Sequence, residues 1–539
     1  MNKFKNWLPF IFAALLALGI YIGMRMNEPY NHTGSIFSFR TGQFNKLNDI
    51  INYINQEYVD TVNQKKLVEN TIEDMLHQLD PHSAYIPADQ LQATNEPLEG
   101  NFDGIGIEFH IQNDTIMVVA AVSGGPSDAL GIQAGDRIIS VDGKSVANIN
   151  ITSAQVMQTL RGPGGTKVRV TIYRSGKEID YTITRGKIPI YSVDVSYMLN
   201  KETGYIKVSH FGEHTYEEYL EGFTKLKNLG MKNLILDLRG NPGGYLKTAI
   251  QLADEFLPDK KLIVYTEGRS RPVESYYATT RGLYEEGGLV VLIDEGSASA
   301  SEIVSGALQD WDRATIVGRR SFGKGLVQEQ SVFPDGSAIR LTIARYYTPT
   351  GRSIQKPYNA DYQTYENELY ERLKRGELLS SDSIHFADSL RFTTPGGHVV
   401  YGGGGIMPDI FVALDTTGTS NYFSSLSSRG LISEFAYDYL DSHRKTFQKY
   451  SSLDEFNKSF MVNESILNEF IAFGNKRGVK PDPDGLRISL QLIQTQLKAF
   501  IARQLYRNEG FYSVIHSIDN TLKKAVDLVE KKQVAIKGS

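Results

Sequence analysis

Apolar residues recur at helical spacing across residues 43–80. Phe44, Leu47, Ile51, Ile54 and Tyr58 form one stripe, and Val68, Ile72, Met75, Leu76 and Leu79 form a second. The pattern predicts a two-helix segment, ended by Asp80-Pro81, with one face committed to a partner domain. From 104 to 186 the pattern shortens to strands punctuated by turns: 115–122 before Gly124-Gly125-Pro126, 137–141 before Asp142-Gly143, then 168–173 and 179–184 around Ser175-Gly176. A short amphipathic helix is expected at 152–160. From 204 to 351 strands alternate with helices, which is the βαβ signature. Strands 205–208 and 234–238 flank a helix over 216–229, and strands 289–293 and 315–317 flank a helix over 299–311. The charged stretch 366–375 reads as an insert or linker, and 406–412 as a late strand returning to the core. Beyond Asp415 the chain is mainly helical, with Leu492, Ile493, Leu497, Phe500 and Ile501 on one stripe and Ile515, Ile518, Leu522, Val526 and Val529 on another. No short-period repeat is present.

The N-terminus sets an expectation about compartment. Lys3 and Lys5 precede an uncharged apolar run over residues 7–24, and Arg25 follows it. About 18 residues is near the minimum for a membrane-spanning helix. The basic residues before the run place the short N-terminus in the cytoplasm and the bulk of the chain in the cell envelope, on the periplasmic or extracytoplasmic face. Ala17-Leu18-Gly19 could serve a signal peptidase, but the run continues past it, which favours an uncleaved anchor in the inner membrane. The remaining composition mainly excludes. The 539 residues contain no cysteine, so disulfides, cysteine-bound metals and thiol nucleophiles are ruled out. With 57 Lys+Arg against 62 Asp+Glu, the chain lacks the basic surplus of a nucleic-acid binder. Its length suggests three or four domains.

Four segments carry candidate chemistry. In Gly296-Ser297-Ala298-Ser299-Ala300-Ser301-Glu302, at about 100° per helical residue, Ser297 and Ser301 point roughly together and Ser299 nearly opposite, over the apolar face of the helix. Ser297 fits a helix cap best. Ser299 is the candidate nucleophile, at a helix N-terminus that favours an oxyanion. Gly318-Arg319-Arg320-Ser321-Phe322-Gly323-Lys324-Gly325 nearly matches a phosphate loop, but Gly325 stands where Ser or Thr would be needed. Lys324 is either a solvated loop lysine or one drawn into a cleft. Asp237-Leu238-Arg239-Gly240-Asn241-Pro242-Gly243-Gly244 is either an anion nest or a plain strand-to-helix loop. Gly104-Ile105-Gly106-Ile107 could turn backbone N–H groups toward a carboxylate. No histidine suits an ordinary triad: His210 and His214 look superficial, and His77 and His82 structural. Asp310 is about 16 Å down the helix axis from Ser299.

Together these segments resemble the C-terminal processing (tail-specific) proteases, serine endopeptidases with a PDZ domain. The resemblance rests on Leu79-Asp80-Pro81-His82-Ser83-Ala84-Tyr85, on residues 237–244, on residues 297–302, on Phe322-Gly323-Lys324-Gly325 and on Gly405-Ile406-Met407-Pro408-Asp409. It covers about residues 44–413; the helical tail lies outside it. It implies an α/β architecture: a crotonase-like βαβ core (188–414), an inserted mainly-β PDZ domain (101–187), an N-terminal helical segment (44–100) and a C-terminal helical domain (415–539). It makes Ser299 the nucleophile, Lys324 the general base and Gln328 the residue that orients the lysine. The N–H of Ala300, with that of Gly243 or Gly244, would form the oxyanion hole. Gly104, Ile105, Gly106 and Ile107 would bind a peptide carboxylate, and Arg161 would couple peptide binding to activation. No cofactor or metal is implied. The implied partners are protein or peptide substrates with free C-termini, with a homo-oligomer as a further expectation. The rival readings are a non-catalytic PDZ scaffold with an inactive core, and a P-loop hydrolase. The chemistry is physically coherent. A lysine near pKa 10.4 is protonated at neutral pH, and desolvation can lower that value by several units.

Overall fold

The computed structural model describes residues 46–535 except 113, 175 and 360. The expected anchor over 7–24 and the turn at Ser175 lie outside the described residues. Among the described residues no helix is long and apolar enough to cross a membrane. The chain divides into two units, residues 1–72 and 73–539. In the first, the helix Lys46–Glu57 has no buried side chain. Of the expected apolar stripe, Leu47 and Tyr58 are exposed and Ile51 and Ile54 half-buried.

The second unit is built on a six-stranded sheet in the order Val193–Met198, Thr203–Val208, Asn233–Asp237, Gly288–Ile293, Thr315–Gly318, Ile410–Phe411. The first pair is antiparallel and the others are parallel. Parallel strands covered on both faces read as unbroken apolar runs, and every residue of Gly288–Ile293 is buried. Leu289, Val291 and Ile293 face a core shared with Phe223, Leu226, Leu252 and Ile303, from the helices Thr215–Asn228, Leu246–Asp254 and Ala300–Asp310. Val290 and Leu292 face the opposite way, onto Leu522, Ala525, Leu528 and Val529 of the helix Asn520–Glu530. The helices beyond Asp415 therefore do not share one core. Those from 421 to 515 bury Leu426, Phe435, Phe456, Phe470, Ile493 and Leu497 among themselves, while the last helix covers the six-stranded sheet.

A second sheet, wholly antiparallel, joins Ala84–Ile86, Ala338–Tyr347, Leu262–Gly268 and Arg271–Tyr277, with Leu326–Val332 also paired to Ala338–Tyr347. The expected inserted domain is present as a third sheet with its own core, where Ile116, Val118, Ile138, Val170 and Ile172 pack on Val156 and Leu160 of the helix Ser153–Leu160. The strands leading into and out of it, Asn101–Gly104 and Gly186–Pro189, pair with each other. Of the two readings of 366–375, insert or linker, the structure fits a packed insert. It forms the helix Glu368–Lys374, whose buried Arg372 donates to the carbonyls of Ser321 (3.1 Å) and Arg320 (2.7 Å).

Because Leu522 and Leu528 seal one face of the sheet, replacing either by Ala is expected to cost about 2–5 kcal/mol, read as a lower urea midpoint. An unchanged midpoint would show the helix dispensable to the core.

Candidate active site

The buried strand Gly288–Ile293 turns sharply into the helix Ala300–Asp310, and Ser299 is the residue at the turn. Its φ of 53° and ψ of −111° lie where side chains rarely go. Such a conformation costs about 1–3 kcal/mol and persists only where neighbours enforce it. Ser299, not Ser297, occupies the cap position. The helix begins later than the wheel argument assumed, so Ser297 is outside it. The Ser297 hydroxyl donates to the Leu238 carbonyl (2.8 Å) and accepts from the Asp294 N–H (2.9 Å), while the Ser301 hydroxyl donates to the Asn241 carbonyl (3.0 Å). Both serines stitch the turn to the glycine-rich loop. Ser299 instead lines a cavity of about 480 Å³ together with Ala300, Gly243, Gly244, Lys324 and Gln328. Gly243 is there because nothing larger fits: a Cβ would lie 2.7 Å from the Cβ of Ser299.

The enforcing group is Glu302. One oxygen of this fully buried carboxyl group accepts from the N–H groups of Ser299 (2.8 Å) and Lys324 (2.9 Å). The other accepts from the Gly323 N–H (2.7 Å) and the Ser321 hydroxyl (2.5 Å). Burial pushes its pKa up to about 7, and the four donors pull the other way. Sequence reasoning gave Glu302 no role, although a Glu three residues after a helix-start Ser is the capping-box spacing. The same contacts answer the phosphate-loop reading, because the N–H groups of Gly323 and Lys324 are already taken by a carboxyl group of the protein.

Lys324 donates from Nζ to Gln328 Oε1 at 2.9 Å, and Gln328 Nε2 donates to the His82 carbonyl. His82 was expected to be merely structural, yet it supplies the anchor for the residue holding the lysine. Its loop is fixed by Asp80, which accepts from the N–H groups of His82 and Ser83 at 2.8 Å each. Burial pushes Lys324 down to about 8; the Arg340 charge adds to this, and Asp80 and Glu302 oppose it. Burial, helped by the Lys324 charge, pushes His82 down to about 3. Ser299 Oγ and Lys324 Nζ share the cavity with no hydrogen bond between them. Of the candidate oxyanion donors, the Gly243 N–H is committed to Asn241 Oδ1 at 2.8 Å. Among the described residues the N–H groups of Gly244 and Ala300 have no such partner.

The remaining candidates lie outside the cavity. Gly104, Ile105, Gly106 and Ile107 lead into Ile107–Gln112, an edge strand paired only with Thr115–Ala121 among the described residues. Gly106 has a φ of +75°, and the Ile105 carbonyl is held by the Ser127 N–H (3.0 Å) and hydroxyl (2.6 Å). Arg161 caps the end of Ser153–Leu160. It reaches Glu96 Oε2 at 2.7 Å and lies over the Phe102 ring, 4.2 Å from its centroid. Glu96 belongs to the helix Ala88–Glu99, whose Thr94 and Asn95 line the cavity. Asp310 is bound to Arg352 at 2.7 Å, both fully buried, and takes no part in the site.

Comparison with known proteins places several segments of the chain in known families. The family described as peptidase family S41 matches residues 202–364, the PDZ domain 117–174, the activating protease CtpB N-terminal domain 17–90, and a family of unknown function 422–507. The carboxy-terminal-processing protease of Bartonella bacilliformis is 38 % identical over 354 residues, covering 62 % of this chain and 80 % of that protein. The chain belongs to the carboxy-terminal-processing proteases. It is a serine-type peptidase with a PDZ domain and an α/β core. The carboxy-terminal processing protease CtpA of Bacillus subtilis is 35 % identical, covering 58 % of this chain and 67 % of the relative. Among solved structures, the photosystem II D1 C-terminal processing protease is 29 % identical, covers 56 % of this chain and 82 % of that one, and gives a TM-score of 0.33.

Glu302→Gln keeps size but turns an amide NH₂ toward N–H donors. In this protease it is expected to lower stability by about 1–3 kcal/mol and peptide turnover more than tenfold. Turnover equal to wild type would remove Glu302 from the positioning of the site.

Proposed function

We propose that the chain is a serine endopeptidase of the cell envelope that uses a Ser299–Lys324 dyad on protein substrates selected by their free C-terminus. The observation that carries the reading is the pairing, in one cavity, of a hydroxyl at a strained helix start with a largely buried amine, both tied to Glu302. The neutral amine of Lys324 takes the Ser299 proton as Oγ attacks the peptide carbonyl, then returns it to the leaving amine. Gln328 positions the amine without adding charge. The N–H groups of Ala300 and Gly244 receive the oxyanion, since that of Gly243 is already committed. Water then releases the acyl group by the reverse use of the same base.

The PDZ reading adds substrate selection. The loop Gly104–Ile107 takes the terminal carboxylate and the free edge of Ile107–Gln112 pairs with the tail. The Arg161–Glu96 bridge supports a path from that domain to the cavity wall. The apolar run over 7–24, with basic residues before it, favours an extracytoplasmic enzyme held at the membrane.

Ser299→Ala and Lys324→Ala are each expected to lower cleavage of an unfolded substrate by at least about a thousandfold with unchanged circular dichroism. Normal turnover by either variant overturns the dyad. Because the base acts when neutral and its pKa is about 8, kcat/KM should rise about tenfold per pH unit below that value and level off above it. A flat dependence from pH 6 to 9 would contradict a lysine base. Amidating the substrate's C-terminus should slow cleavage; equal rates would leave the peptidase and remove the tail recognition.

A further inference from the structure

The cavity holds a second cation that the dyad leaves unused. Arg340 lines it from the strand Ala338–Tyr347, directly opposite Gln330 on Leu326–Val332. Gln330 is two residues from Gln328 and so shares its face of the strand. At about 3.4 Å per residue, Arg340 sits about 7 Å along the sheet from the glutamine that holds the lysine. Its Nη2 donates to Gln330 Oε1 (3.0 Å) and Asn95 Oδ1 (3.3 Å). Two neutral amide oxygens orient the guanidinium without neutralising it. Two of its five N–H groups are thus used, and none of the nitrogens carrying the other three is sealed from solvent.

The other arginines near the core are differently served. Arg352 meets Asp310 at 2.7 Å, Arg320 meets Glu377 at 2.6 Å, and Arg313 donates to three backbone carbonyls. Among the described residues, no Asp or Glu forms an ion pair with Arg340. Burial without a compensating carboxylate pushes its pKa down from the usual guanidinium value. Part of the cavity lining is apolar, with Leu98, Leu246, Ile303, Leu326 and Val327, and a carboxylate brought to an unpaired guanidinium there forms a charge-assisted pair.

We propose that Arg340 is a specificity-determining residue that pairs with a carboxylate of the peptide held for cleavage, within about two residues of the bond cut. The carboxylate is either an Asp or Glu side chain or the α-carboxylate of a peptide ending just beyond that bond. The inference rests on the Ser299–Lys324 reading and extends it to substrate choice.

The test uses the full chain and peptides with one tail sequence and a single Glu or Gln near the cut, located by mass spectrometry. A second pair of short peptides ends one or two residues past the cut, as the free acid or the amide. Wild type should favour at least one carboxylate form by about tenfold or more in kcat/KM, mainly through KM. The pair showing the preference identifies the source. Arg340→Gln should bring that ratio close to one, and Arg340→Lys, which keeps charge but not the planar fork, should retain part of it. Should Arg340→Gln fail to fold by thermal unfolding, a ratio in Arg340→Lys at least threefold below wild type supports the assignment, and an equal ratio overturns it. No preference in wild type, or the same preference in Arg340→Gln, also overturns it. Ser299→Ala is run in parallel. Cleavage that survives in it defeats the dyad reading, whereas Ser299-dependent cleavage without preference defeats only the role of Arg340.

Discussion

A buried carboxyl group joins the two halves of this site. Glu302 sits on the first turn of the helix that begins at Ser299, and its oxygens reach across to residues 321–324. A carboxyl group in an apolar interior is costly unless its oxygens are satisfied. Here three backbone N–H groups and a hydroxyl satisfy them. The turn and the loop cannot drift apart without stripping donors from it, so the spacing between hydroxyl and amine is fixed by the desolvation cost of a third residue. The same cost helps to hold Ser299 in its positive-φ conformation.

Around Lys324 opposing influences set the amine's affinity for a proton. Burial and Arg340 favour its neutral form, and Asp80 and Glu302 resist. The group in direct contact, Gln328, is uncharged and is itself held by the backbone of His82. A carboxylate in its place would raise the lysine's affinity for a proton, the wrong direction for a base. The second sheet serves this arrangement, since Leu326–Val332, Ala338–Tyr347 and Ala84–Ile86 place Gln328, Arg340 and the His82 loop beside one another.

The parts of the fold that were legible in sequence are those whose pattern is set by burial on both faces. Residues 289–293 and 234–238 announced themselves as apolar runs, and the inserted domain by its turns. The hairpin Leu262–Gly268 with Arg271–Tyr277 escaped notice because its second strand is almost wholly exposed. The stretch 366–375 read as an insert or linker, with no sign of its packing, because some of its charges, Arg372 and Glu368 among them, are matched inside the protein. Ser299 and Lys324 were singled out by their motifs, and the fold brings both to one cavity. The contacts of Glu302, His82 and Arg340 escaped because most join residues far apart in the chain; Glu302 alone carried a local signal, the capping-box spacing. Ser297 and Ser301 do turn to the same loop, as the wheel implied, but the cap is Ser299 and not Ser297 because the helix begins only at Ala300.

The central claim is that this pocket lowers the Lys324 amine from the ordinary lysine range to a pKa of about 8, so that a useful fraction is neutral in mildly alkaline solution. Lysine side chains labelled with ¹⁵N, titrated by NMR in the intact protein and assigned by comparison with Lys324→Arg, read that directly. The account predicts one lysine titrating near pH 8 and absent from the variant; a Lys324 signal titrating near the ordinary lysine value of about 10.4 would contradict it.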